Sequence, residues 1–276
     1  MKTWKWLLLL VFSMVGTLIL YGVSCIFPME VKNVYALGVL SLSACAVMCG
    51  IYAMVSRNVE NREVTELKMR RFAPDFTVGC VIGGASMALS ILGMRLAGVY
   101  HGVAITPNWE GIVQHLFLLL IVAVGEELAF RAVLLRMIEE RWGTTVALVI
   151  SCLAFGFVHY TNDGGTVWSS IAIAITAVEA TSFIYSRSLW MPIGSHFAWN
   201  FVQGNVFGFA VSGNVFDASL LKAELSGSPL LTGGDFGPEA SIITVVLTTA
   251  VAALLLILAI RKGNFIPFRN PLTRAK

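Results

Sequence analysis

Runs of about twenty apolar residues recur along this chain, and they restrict what it can fold into more than any other feature. A segment needs about 20 predominantly apolar residues to cross the hydrocarbon core of a bilayer. Inside that core no water is available to backbone N–H and C=O groups, so a spanning segment must be a helix or part of a closed barrel. Continuous runs of this length read as helices. Eight spans are predicted, at roughly 4–27, 33–55, 76–100, 111–135, 144–160, 166–187, 189–212 and 241–260. Composition agrees, because only 13% of residues are charged, against about 25% in a soluble domain. The expected fold class is all-α: a polytopic transmembrane helical bundle of about eight spans. No polar stretch is long enough to bury a second core, so residues 1–276 are expected to form a single membrane domain.

The first run follows Lys2 and Lys5, as a signal peptide would, but Trp4 to Phe27 is too long for one. It reads as a retained helix. Basic residues then orient the spans, because cytoplasmic loops carry an excess of Lys and Arg. With the N-terminus inside, the inner segments hold Lys2, Lys5, Arg57, Arg62, Lys68, Arg70, Arg71, Arg136, Arg141, Arg187, Arg261, Lys262, Arg269, Arg274 and Lys276. The outer segments hold only Lys32 and Lys222. Both termini are therefore expected in the cytoplasm, and the chain in the cell membrane as a multi-pass protein. The net charge of +3 belongs to this topology signal and to anionic lipid. It implies membrane lipid as a partner and no nucleic acid. Residues 213–240 become a long, Gly-rich, extracytoplasmic loop, which could lie over the site as a lid but is read first as a plain connector. The five cysteines lie in apolar runs without a CxxC pair, so neither a disulfide framework nor a zinc ribbon is expected.

Ionisable residues inside a bilayer cost about 2.5–3.5 kcal/mol each and mark function by default. The fourth span reads IVAVGEELAFRAVLLR. Neighbours on a helix point about 100° apart, so Glu126 and Glu127 face different ways. Arg131 is four residues beyond Glu127, in pairing register, and is badly rotated for Glu126. Glu127–Arg131 is expected as an internal ion pair, with Glu126 left to face a cavity. A carboxylate unpaired in a low-dielectric cavity is suited to act as a base near neutral pH. The fifth span ends FGFVHY, with His159 four residues after Phe155. Glu126 lies 16 residues before Trp142 and His159 lies 17 after it. In an antiparallel hairpin both then sit roughly 24 Å from the turn, at 1.5 Å per residue. The seventh span begins SLWMPIGSHFAWN, with His196 and Asn200 on one face. Three helices could thus aim Glu126, His159, His196 and Asn200 at one spot. A carboxylate with an imidazole can activate a water, and a second imidazole with an amide can hold a developing oxyanion.

At these residues the sequence resembles the CPBP family, membrane-embedded glutamic peptidases that include CAAX proteases and bacteriocin-processing enzymes. The family pattern EExxxR, FxxxH, HxxxN appears here as Glu126-Glu127 with Arg131, Phe155 with His159, and His196 with Asn200. The likeness is strong over 111–212, the expected protease core. The segments GNVFGFAVSG and LTGGDFGPEAS look like a bacterial subset. Ala132 departs from the glycine that usually follows the arginine. The resemblance implies an intramembrane endopeptidase in which Glu126 and His159 activate the hydrolytic water. It implies that His196 and Asn200 form the oxyanion site, with Glu127 and Arg131 in support. The implied partner is a peptide or membrane-protein substrate, and a bacterial chain would make prenylated tails a less natural one. No HExxH motif or clear third ligand is present, so no cofactor and no metal is expected, although Glu and His could ligate zinc by their chemistry. Glu179 and Arg95 also lie in spans but outside the motifs, and no catalytic role is assigned to them. Two other readings fit an intramembrane polar site: a non-enzymatic scaffold or regulator with the same fold, and a proton-coupled transporter. All the motif positions are filled, which argues against the scaffold. Inverted repeats and paired broken helices are missing from the sequence pattern, which argues against the transporter.

Overall fold

The computed structural model describes residues 3–29, 31, 33–105 and 107–270. Lys2, Lys32, Arg274 and Lys276, four of the residues used to orient the spans, lie outside this set. The first two spans form helices α1 (Thr3–Met29) and α2 (Val34–Asn58). Asn33 caps α2, its side chain accepting from the N–H groups of Tyr35 and Ala36 at 3.0 Å. Helix α3 (Phe72–Leu96) begins earlier than its apolar run, because a 3-10 turn over Met69–Arg71 leads straight into it.

The segment with the adjacent glutamates is longer than one span. Helix α4 (Trp109–Glu127) passes into a π-helical stretch, Leu128–Leu135, and on into α5 (Arg136–Trp142). Gly143, with φ +89°, makes the turn into α6 (Thr144–Val158). The sixth span is broken. Helix α7 (Val167–Thr176), started by a reciprocal Thr166–Ser169 capping box, ends at Ala177 in the left-handed region, and α8 (Val178–Ser186) restarts there. Irregular backbone at membrane depth is tolerated where it is buried in protein or lines a cavity, and Val178 and Glu179 line one. Helix α9 (Trp190–Phe201) runs into a second π stretch, Val202–Val206, where helix ends. Helix α11 (Ile242–Arg261), capped by the Ser241 hydroxyl, closes the bundle.

Among the described residues, six helical segments are long and apolar enough to cross a membrane: Trp4–Ile26, Val34–Asn58, Met69–Leu96, Thr144–Thr161, Val167–Ser186 and Ile242–Arg261. Two of the three motif-bearing elements, α4 and α9, are not among them. Their polar residues and π interruptions set them apart, and Glu127 on α4 and Ser195, His196 and Asn200 on α9 are buried. The chain is an all-α, multi-pass membrane protein.

Helix α9 is brought close by small residues on α3. A Cβ added at Gly79 would lie 2.0 Å from the Met191 carbonyl oxygen, and one at Gly83 would lie 2.0 Å from the Ser195 carbonyl oxygen. Only glycines let two membrane helices approach backbone to backbone in this way. This contact seats the helix that carries His196 and Asn200.

The charged loops gather at one end of the bundle. Arg62 pairs with Glu66 at 2.7 Å, and Arg136 pairs with Glu60 at 2.7 Å. Arg71 donates to the Ser186 carbonyl at 2.7 Å, and Arg187 donates to Glu139 at 3.0 Å. The other end carries elements with no counterpart in the predicted spans. Strands β1 (Tyr100–Ile105) and β2 (Leu221–Leu225) pair antiparallel, with Tyr100 opposite Leu225. The short helix α10 (Pro229–Thr232) follows. Residues 207–241 are more than a connector. Asn162 donates to the Ser212 carbonyl at 2.9 Å, and the Trp168 indole donates to the Ala240 carbonyl at 2.7 Å. Asn205 holds the Ala218 carbonyl at 2.7 Å. The segment is thereby tied across the ends of α6, α7 and α9.

Candidate active site

The hairpin of α4, its π extension and α6 builds the first half of the site. Its register is set one turn below the polar residues. The Ser151 hydroxyl donates to the Phe130 carbonyl at 3.0 Å, and the rings of Phe130 and Phe155 meet edge to face at 4.9 Å. Phe155 is the hub of the cluster. The Arg131 guanidinium lies 4.4 Å from its ring centre, the His159 ring 4.7 Å away and the His196 ring 6.2 Å away. A cation over an aromatic face is attracted by the ring quadrupole, so one phenylalanine holds three polar side chains in place.

Glu127 is fully buried and serves two partners. Its Oε2 stands 3.2 Å from Arg131 Nε, and its Oε1 accepts from His196 Nδ1 at 2.9 Å. The pair with Arg131 is at ion-pair distance without hydrogen-bond alignment, which follows from the π turn that begins at Leu128. Such turns recur at functional sites because they displace side chains from the regular helical register. A carboxylate can only accept, so His196 carries a proton on Nδ1 and presents Nε2 to the opposite side. There Glu126 Oε2 lies 3.9 Å away. The other oxygen of Glu126 accepts from the Tyr21 hydroxyl of α1 at 3.2 Å. Its Oε2 is buried and makes no hydrogen bond with a described residue.

His159 closes α6, in a 3-10 turn over His159–Thr161. Its Nδ1 lies 2.7 Å from the Phe155 carbonyl oxygen. A carbonyl cannot donate, so that nitrogen carries the proton and Nε2 is left as the acceptor when the ring is neutral. His159, His196 and Asn200 line a cavity of about 40 Å³, together with Glu179, Ser212 and Glu239. That volume admits a few water molecules at roughly 10–15 Å³ each.

The structure therefore brings His159, His196 and Asn200 to one cavity, with Glu126 approaching through His196. The hydrogen bonds of Glu126 go to Tyr21 and not to His159. Arg131 and Glu127 stand behind His196. Three further residues reach the site, and sequence reasoning did not assign them. Tyr21 comes from the first span, where one hydroxyl among aliphatic residues is a weak signal. Glu179 follows the helix break and accepts from the Ser195 hydroxyl at 3.1 Å. Glu239 comes from the segment after α9, within GGDFGPEAS. Its side chain is buried, accepting from the Ser212 backbone N–H and from the Trp199 indole. Burial pushes the Glu239 carboxyl above the ordinary carboxylate range, against the pull of the Ser212 N–H, His159 and Trp199. Arg95, the other intramembrane charge noted in the sequence, lies over the Tyr100 ring at 6.0 Å, away from this cluster.

Residues 107–202 match the family model described as Rce1-like, type II CAAX prenyl endopeptidase. That family consists of membrane proteases, and the matched stretch contains all three motifs. No curated protein and no solved structure matches the chain.

Proposed function

We propose that this protein is an intramembrane endopeptidase that cleaves a peptide bond in a membrane-associated peptide or protein tail. The observation that carries the reading is the meeting of His159, His196 and Asn200 at one cavity the size of a few waters, with Glu126 Oε2 3.9 Å from His196 Nε2. Glu126 Oε2 is the base: it lies buried with a free lone pair. It takes a proton from a water that His159 Nε2 also holds. The water oxygen adds to the peptide carbonyl carbon. The resulting oxyanion accepts from His196 Nε2 and the Asn200 amide. As the C–N bond breaks, the proton on Glu126 passes to the leaving amine. Glu127 on one side of the His196 ring and Glu126 on the other favour a ring that carries both protons and donates from Nε2. Removing one oxyanion donor typically costs about 10²–10³ in kcat.

Glu126→Gln should abolish cleavage while leaving the fold intact. The measurement is comparative proteomics of membranes carrying wild-type or Glu126→Gln protein, reading lost cleavage products. Identical fragment patterns would overturn the assignment. The mechanism uses no metal. In support, no group of three or more His, Cys, Asp or Glu stands in ligand geometry among the described residues. Exhaustive dialysis against a zinc chelator should therefore leave the fragment pattern unchanged, and activity regained only on adding zinc would show the opposite. The break at Ala177, beside Glu179 in the cavity wall, is the one feature that favours a proton-coupled transporter. Proton-driven uptake in proteoliposomes would establish that reading.

A further inference from the structure

The polar residues of the three motifs do not complete the cavity. Its remaining carboxylates are Glu179 and Glu239, and Glu239 alone comes from outside the helical bundle. The Glu239 side chain is buried at the end of an outer segment that would otherwise face water. A carboxylate taken out of water is costly unless it is paired and hydrogen-bonded. Glu239 meets that requirement through residues of the site itself. Its Oε2 accepts from Trp199 Nε1 at 3.2 Å, and Trp199 neighbours Asn200 on α9. Its Oε1 accepts from the Ser212 N–H. The Ser212 carbonyl in turn accepts from Asn162, three residues beyond His159, at 2.9 Å. Glu239 and His159 line the same cavity, where the charge of one bears on the other.

Both oxygens accept from N–H donors, which stabilises the ionised form against the burial that raises the carboxyl. A buried carboxylate opposite His159 is costly for a structural loop and useful beside an imidazole that must hold a water. We propose that Glu239 is a positioning residue of the hydrolytic site. It acts from outside the three motifs by fixing His159 through charge and Asn200 through Trp199, and it latches residues 207–241 over the cavity. This rests on the peptidase reading above.

The test uses full-length protein in nanodiscs as wild type, Glu239→Gln, Glu239→Asp and Glu126→Gln. The probe is a quenched fluorescent peptide ending in a farnesylated CaaX tail. If the wild type leaves that peptide intact, the readout is the set of fragments lost from Glu126→Gln membranes. Hydrogen exchange of residues 207–241 is followed on the same samples. Glu239→Gln keeps the shape of the side chain and removes its charge. It should lower kcat by about 10²-fold with KM within about twofold, the signature of a lost transition-state contribution. Exchange over 207–241 should remain close to wild type, and Glu239→Asp should recover part of kcat. Unchanged kcat in Glu239→Gln would overturn the proposal. So would a loss of kcat seen only together with unprotected exchange over 207–241, which is the outcome for a purely structural residue. Should Glu239→Gln not fold, Trp199→Phe, which removes the indole donor alone, should lower kcat in the same direction; unchanged kcat there would overturn the proposal. Cleavage retained by Glu126→Gln would defeat the peptidase mechanism itself and is read independently of Glu239.

Discussion

At the scale of single residues, the site depends on a side chain that does no chemistry. Phe155 touches the Arg131 guanidinium and the rings of both His159 and His196. Phe155→Leu keeps the apolar volume and removes the aromatic face. It should lower cleavage about tenfold, roughly 1–2 kcal/mol of lost cation and ring contacts, with the melting temperature in detergent close to wild type. A loss of activity matched by a loss of folding would point to packing alone. The spacing of Glu127 and Arg131 made their proximity legible in the sequence, whereas counting from Trp142 put Glu126 and His159 at one depth without showing that Glu126 would bond Tyr21 instead. Three things could not be read there. The π turn at Leu128 changes how side chains rotate. Glu127 spends its second oxygen on His196, from a helix 69 positions away in sequence. Tyr21 reaches Glu126 from a helix whose pattern shows only an apolar run.

At the scale of elements, the position of α9 decides whether His196 and Asn200 arrive at all. The backbone contact through Gly79 and Gly83 leaves no space for a side chain. Gly83→Leu should therefore separate α3 from α9 and cost more than the roughly 1–3 kcal/mol of ordinary overpacking. The readout is the melting temperature in detergent, and Gly84→Ala is the control. A Cβ at Gly84 would meet Val202 and Ala198 at ordinary contact distances of 3.6 and 3.7 Å, so that variant should melt near wild type. Six of the eight apolar runs read as spans coincide with helices long and apolar enough to cross a membrane among the described residues, but where a helix breaks was not legible. Ala177 has no glycine or proline to announce its left-handed backbone. The cavity, a tertiary feature, is what tolerates the break.

At the scale of the whole molecule, one end is held by ion pairs and the other by a folded segment. Glu66 lies at the ion-paired end. Burial raises its carboxyl, but hydrogen bonds from Arg62 and Tyr52 outweigh that and hold it below the ordinary range. A carboxyl lowered in the folded state adds stability that is fully present above its unfolded value, about 4.3. That stability is lost as pH falls through the lower folded value. Wild-type melting temperature should therefore drop on acidification below about pH 4.3. Glu66→Gln should melt lower at neutral pH and show a smaller further drop, so parallel curves for the two proteins would count against the pairing. The clustering of basic residues into alternate loops was legible as a topology signal. The fold of residues 207–241 was not, because Gly-rich sequence specifies turns without saying what they pack against.

The cavity volume bears on how substrate arrives. As it stands, a cavity of about 40 Å³ walled by helices and by Ser212 and Glu239 is too small for a length of peptide. Binding must first part the walls, and a partner that waits for its site to open associates below the usual 10⁵–10⁷ M⁻¹s⁻¹ of rigid docking. Selectivity can then be exercised at the door as well as at the scissile bond. A tail that pries the helices apart gains entry, and the free energy of that parting is subtracted from every substrate's affinity.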